Sequence, residues 1–208
     1  MQQNLKIDRI WKSFKSGDSE AFAYLYNLHI DSLYRYGIKL CNDEGLVKDS
    51  IQEVYLDLYL KKENNKTNPQ NLKFYLILSL KHSLIKKLKR RRRFVIGDDN
   101  EEPLSFEPEY SIEKEIIERE KDEELTKKIK HILQELPSKQ KEALYLRFNE
   151  SMEYIEIARI LNISIESSRK LVYRALKTVR EVMEKEALFF FFFLQSYIPH
   201  SSFQKKVT

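Results

Sequence analysis

Four glycines and five prolines in 208 residues leave this chain few places to turn. Long segments run uninterrupted between them, which points to an all-α protein, because both residues punctuate chains at turns and are disfavoured inside helices. Hydrophobic residues make up 42% and charged residues 33%, enough apolar side chain for packed cores and too much for a wholly disordered chain. The length suits one or two domains.

Charge is distributed unevenly. The net charge is +5, a weak tilt toward nucleic acid or an acidic surface. Its arrangement says more. Lys81 to Arg93 holds eight Lys or Arg and no acid. Asp98 to Glu124 holds thirteen acids against three bases, and Leu125 to Lys185 thirteen bases against eight acids. Two basic bodies therefore flank an acidic connector. The stretch Gly97–Ser111 adds two prolines and reads as a linker.

Helical spacing recurs on both sides of it. Gly17-Asp18-Ser19 is a break, with Asp18 or Ser19 placed to cap the helix carrying Ala21, Phe22, Leu25 and Tyr26. Asn42 to Gly45 is a second break. Beyond it Ile51, Val54, Tyr55 and Leu58 form an apolar stripe, and Asp49, Gln52, Glu53 and Asp57 lie off that stripe. Lys61–Asn71 is a polar loop. Leu72, Leu76, Leu80, Leu84 and Leu88 then recur every fourth residue in a helix that ends in the basic run to Arg93.

In the second body, Tyr154–Leu161 and a long segment from Ile165 to about Glu186 are joined by Asn162-Ile163-Ser164, which is helix-turn-helix spacing. Asn162 suits a left-handed turn, and Ser164 an N-cap. Val172, Ala175, Leu176 and Val179 make the inner stripe. Glu166, Arg169, Lys170, Tyr173, Arg174 and Lys177 stand outside it, where a recognition helix meets base edges and phosphates. An ordinary helical hairpin with a solvated basic face has the same local pattern. The run Lys86–Arg93 can likewise be a solvated helix end, but seven bases in eight residues exceed what a helix dipole needs, which favours phosphate contact. Phe74 and Tyr75 fit either base stacking or core packing.

No motif points to catalysis. His29, His82, His131 and His200 lack paired ligand spacing, so no metal is expected. There is no glycine-rich phosphate loop and no nucleophile elbow. The chain is expected not to be an enzyme and to need no cofactor and no small-molecule substrate. Cys41 is the one cysteine, which excludes an internal disulfide and fits a reducing cytoplasm. The N-terminus is polar and helical in pattern, unlike a signal peptide.

From Asp8 to Glu184 the chain resembles the extracytoplasmic-function (ECF) RNA polymerase sigma factors of the sigma-70 family. Asp49–Tyr59, DSIQEVYLDLY, is similar to that family's polymerase-binding segment. Phe74–Arg93 resembles its helix for the −10 element, and Leu136–Glu181 its −35 domain, best at Leu136-Pro137, Arg147-Phe148, Glu156-Ile157-Ala158 and Tyr173-Arg174-Ala175-Leu176. Three positions depart from the pattern, one of them Ser167, which stands where a threonine is usual. Asn162 replaces the usual glycine before the turn. Ser168 replaces an aliphatic residue on the inner stripe, where its hydroxyl must bond back to the backbone.

The resemblance implies two small helical domains: a sigma region 2 domain over residues 8–93 and a region 4 helix-turn-helix domain over 125–186. An acidic linker over 94–124 joins them and, as in the family, would thread the polymerase's RNA exit path. An apolar tail, 187–208, follows. The resemblance assigns core polymerase binding to Asp49, Gln52 and Glu53. Contact with −10 DNA falls to Asn71, Phe74, Tyr75, Lys86, Lys87, Lys89, Arg90 and Arg91. Contact with −35 DNA falls to Glu166, Ser167, Arg169, Lys170, Tyr173, Arg174 and Lys177. The implied partners are core RNA polymerase, promoter DNA and an anti-sigma factor, membrane-anchored in many relatives; the implied location is the cytoplasm. A free-standing helix-turn-helix repressor and a membrane-surface adaptor are the alternatives. The tail, with Phe189 to Phe193 in a row, is too short to span a bilayer. It is expected to continue the recognition helix and dock in an apolar groove, between the domains or on a partner.

Overall fold

Two aspartates partition the first half of the chain. Asp18 accepts hydrogen bonds from the Glu20 and Ala21 amides, at 2.9 and 3.3 Å, and so starts a helix. Asn42, left-handed at φ 44°, ends that helix, and Asp43 caps the next by accepting from Leu46 N at 3.0 Å. The computed structural model describes residues 2–63, 71–96, 106–107 and 131–182. Its elements are α1 (Gln2–Lys15), α2 (Ser19–Cys41), α3 (Glu44–Leu60), α4 (Leu72–Ile96), α5 (Ser138–Leu144), a π-helical turn (Tyr145–Asn149), α6 (Tyr154–Leu161) and α7 (Ile165–Val182). Residues 131–135 are also helical. The architecture is all-α, and the described residues contain no strand.

Helices α2, α3 and α4 pack on one another, and α1 lies against α2. The expected stripes are the buried ones, Ile51, Val54, Tyr55 and Leu58 on α3 and Leu72, Leu76, Leu80 and Leu84 on α4, with Leu88 at the end of the repeat half-buried. Trp11 and Phe14 of α1 pack with ring centroids 5.3 Å apart, and Phe14 closes one end against Phe22 of α2 at 5.7 Å. Gly37 lets α2 and α3 approach closely, because a Cβ there would sit 2.7 Å from Val47 Cγ1. The helix expected to end at Arg93 runs on to Ile96, into the stretch read as linker.

The second body gathers Ile132, Leu136, Ala143, Leu146, Ile157, Val172, Ala175 and Val179 into its core. It lies against the first, chiefly α6 on α4. One residue of the expected linker is part of this junction. Phe106 is fully buried, with its ring 5.9 Å from Tyr36 of α2 and 5.5 Å from Tyr145. Backbone bonds hold it on both sides: Phe106 N donates to Ser138 Oγ at 2.7 Å, and Glu107 N to Lys39 O at 2.8 Å. The sequence marked this stretch only as acidic and proline-bearing, yet Phe106 supplies apolar area that a solvated linker would leave in water. The rest of the linker from residue 97 onward, residues 125–130, and everything after Val182, tail included, lie outside the described residues.

Phe106 thus packs against both bodies, and its loss is expected to uncouple their unfolding. Phe→Ala at a fully buried site costs about 3–5 kcal/mol. Scanning calorimetry should show one unfolding transition for the native chain and two for Phe106→Ala. A single unshifted transition in the variant would mean that Phe106 contributes nothing to the junction.

Candidate nucleic-acid interface

Helix α6 begins with a reciprocal cap, in which Glu153 N donates to Glu156 Oε2 at 2.8 Å, and ends at Asn162, left-handed at φ 52°. Ser164 caps α7 by accepting from Ser167 N at 3.1 Å. The two helices pack through Ile157, Ala158, Val172 and Ala175. Ser168, fully buried, keeps its Oγ 2.7 Å from Ile165 O and 3.0 Å from Tyr154 O, so the backbone satisfies the hydroxyl. That packing turns Glu166, Ser167, Arg169, Lys170, Tyr173, Arg174 and Lys177 outward together, all exposed, with Tyr173 at 68%. Lys170 pairs with Glu166 at 2.6 Å, and Lys177 lies 3.5 Å from Glu181. Arg169 rests over the Tyr154 ring at 5.7 Å, and Arg147 over the same ring at 4.9 Å. This shared aromatic shelf orients two guanidiniums and was not legible in the sequence, because it joins residues from three separate segments.

On the first body, Asp49, Gln52 and Glu53 are exposed on one face of α3. Glu53 is tied to α4: Ser83 Oγ donates to it at 2.8 Å, and Lys87 Nζ lies 3.2 Å away. The Ser83 bond, followed by Lys87, lowers its carboxyl below the usual range. Leu56 and Leu60, 58% and 70% exposed, extend the same face. Their three- and four-residue spacing from Glu53 and Leu56 was the available signal.

The expected −10 residues do not form one cluster. Asn71 is exposed and Phe74 and Tyr75 are half-buried at the start of α4. Lys86, Lys89, Arg90 and Arg91 are exposed near its other end, about 22 Å along the axis from Asn71 to Lys86. Lys87 is engaged with Glu53, and Arg91 with Asp43 at 2.9 Å.

Between the bodies lies a polar seam that the sequence reading did not anticipate. Glu142 Oε1 accepts from Tyr36 Oη at 2.6 Å and from Lys81 Nζ at 2.7 Å. Glu150 accepts from Ser32 Oγ at 2.5 Å, Lys73 Nζ at 2.5 Å and its own neighbour Tyr145 Oη at 2.9 Å. Both carboxylates are buried, at 5% and 4% exposure. Burial, then Glu142, raises the Tyr36 phenol well above its ordinary range, so it remains a donor. His29 lies near the same seam. Burial first and Lys73 second bring it down to about 4, with Glu150 opposing them.

A family model for sigma-70 region 4 matches residues 126–179. Two Bacillus subtilis proteins are similar over 77% of this chain. The ECF RNA polymerase sigma factor SigM is 21% identical across 94% of its own length, and the RNA polymerase sigma factor SigV 27% identical across 89%. Two solved structures share the fold. Bartonella quintana RpoE, crystallised with the anti-sigma factor NepR, has a TM-score of 0.54 at 20% identity, covering 79% of this chain and 98% of its own. CnrH, in complex with the cytosolic domain of CnrY, has a TM-score of 0.51 at 16% identity, covering 85% and 96%. The fold places α6 and α7 as a helix-turn-helix unit with the basic face of α7 outward. Residues 126–179 match sigma-70 region 4, and over most of its length the chain is similar to RNA polymerase sigma factors of the extracytoplasmic-function group.

The lowered His29 pKa has a definite consequence. Between its unfolded value of about 6.5 and its folded value of about 4, the unfolded chain binds more protons. The contribution is complete above pH 6.5 and is lost as pH falls toward 4. Urea unfolding across pH 7.5 to 4 should therefore show a shallower acid loss for His29→Gln than for the native chain. Equal slopes would place His29 outside the seam's energetics.

Proposed function

We propose that this chain directs promoter-specific initiation by binding core RNA polymerase through α3 and reading promoter DNA through α4 and α7. The observation that carries this reading is the helix-turn-helix geometry, in which α6 and the turn hold the basic face of α7 outward. Arg169, Lys170, Tyr173, Arg174 and Lys177, with Glu166 and Ser167 at the helix start, would enter the −35 major groove. Asp49, Gln52 and Glu53 would meet the polymerase, with Leu56 and Leu60 adding apolar area beside them. Asn71, Phe74 and Tyr75 would hold a base flipped from the melted −10 strand, at a few kcal/mol of lost stacking. Lys86, Lys87, Lys89, Arg90 and Arg91 would follow its backbone. The neighbour RpoE is solved with the anti-sigma factor NepR, and CnrH with the cytosolic domain of CnrY, which supports a protein partner of that kind here. Polymerase is a cytoplasmic target, and the chain would act there.

Two variants test the assignments. Gln52→Ala with Glu53→Arg should weaken binding to core polymerase while leaving helical content intact; unchanged affinity would remove α3 from the interface. Arg169→Ala, Lys170→Ala and Lys177→Ala together should abolish run-off transcription from a −35-dependent promoter. A lost base contact costs about 1–3 kcal/mol, and a lost phosphate contact flattens the salt slope by about one unit. Normal transcription by the triple variant would overturn the recognition-helix assignment.

A further inference from the structure

We propose that the face of the first domain formed by Ser32, Tyr36, Lys73 and Lys81 is a binding site for the phosphodiester backbone of single-stranded promoter DNA, and that Glu142 and Glu150 fill it in the free protein. This rests on the sigma-factor reading and adds residues and a competitor to it.

The face is made of donors aimed at anions. Two hydroxyls from α2 and two ammonium groups from α4 converge on two carboxylates from the other domain, at 2.5 to 2.7 Å. Lysine can only donate, and the Tyr36 phenol is held protonated, so the face has no use for a cation. When the domains part, these four groups lose their acceptors together and present two anion seats. Ser32 and Tyr36 are one helical turn apart, and Lys73 and Lys81 about two turns, roughly 6 and 12 Å. A flexible strand with one charge per nucleotide can match that spacing.

Position supports the same ligand. Lys73 sits between Asn71 and the aromatic pair Phe74 and Tyr75, where the −10 strand is proposed to bind. Lys81 lies on α4 between that pocket and the basic stretch from Lys86 to Arg91. The two lysines thus join two proposed contact regions that the helix otherwise keeps apart. Side chains that bond to phosphate oxygens in protein–DNA complexes are of these types, Lys, Ser and Tyr among them. Glu142 and Glu150 stand where phosphate oxygens would, so closure of the domains and binding of the strand are mutually exclusive.

The test is fluorescence anisotropy of a labelled 12-nucleotide single-stranded DNA with the full-length chain, across a salt series. Glu142→Gln with Glu150→Gln should tighten binding and steepen the log–log salt slope by about 1.4, two phosphate contacts at about 0.7 each. Each single variant should give about half of that, which keeps the test open if the double variant is unstable. Adding Lys73→Gln and Lys81→Gln to the double variant should return the slope to the native value. Glu20→Gln with Glu135→Gln, a charge-matched change at exposed positions, should leave it unchanged. No gain in the double variant, or a gain that survives loss of both lysines, would overturn the proposal and leave the face as an interdomain contact only. Core polymerase binding, measured on the same samples, reports on the sigma-factor reading separately, since it depends on α3.

Discussion

The arrangement of this protein depends on two buried carboxylates. Glu142 and Glu150 belong to the second domain, but most of their hydrogen-bond partners belong to the first. A buried carboxylate without partners costs several kcal/mol, so neither side chain tolerates a half-made junction. The interface is consequently either fully formed or open to water. Phe106 adds apolar area beside the pairs, and the Glu107–Lys141 pair at 2.9 Å extends the seam from the linker.

A polar seam holds two bodies together differently from an apolar one. An apolar interface gains about 25 cal/mol for each Å² buried and resists separation accordingly. Buried ion pairs roughly break even against solvation, yet they fix register and orientation. Here the domains can be held in one geometry without being held tightly. The surfaces proposed for polymerase and for −35 DNA stay exposed in the closed arrangement: α3 presents Asp49 and Gln52, and α7 presents Tyr173 and Arg174. The seam covers the donors on α2 and α4 instead. On the proposed reading, closure bears most directly on the single-stranded step.

Much of the fold was legible in the sequence because it rests on local chemistry. Asp18, Asp43, Asn42, Asn162 and Ser164 each mark a helix end through a bond or dihedral confined to a few neighbours. The leucine repeat of α4 and the outward face of α7 follow from periodicity in the same way. Ser168 was read as a hydroxyl that must bond to backbone, and it does. The seam was not legible, because its pairs join residues 61 to 118 positions apart. One signal was present: Glu142 directly precedes the apolar run Ala143-Leu144-Tyr145-Leu146, where a charge on a buried helix implies a distant partner. Phe106 was hidden differently, since the acidic, proline-bearing composition around it reads as solvated linker. The residues assigned to −10 DNA were legible as types but not as a cluster, because α4 separates them by length.

The most direct measurement of the account is the distance between the two domains in the free chain. Dyes on Asn27→Cys and Thr178→Cys, in a Cys41→Ser background, place one label on α2 and one on α7. Single-molecule energy transfer should show one short-distance population in the free protein, moving to a longer distance when core polymerase and promoter DNA are added. A broad, long-distance distribution in the free protein at neutral pH would contradict the carboxylate seam as the interaction that orders the molecule.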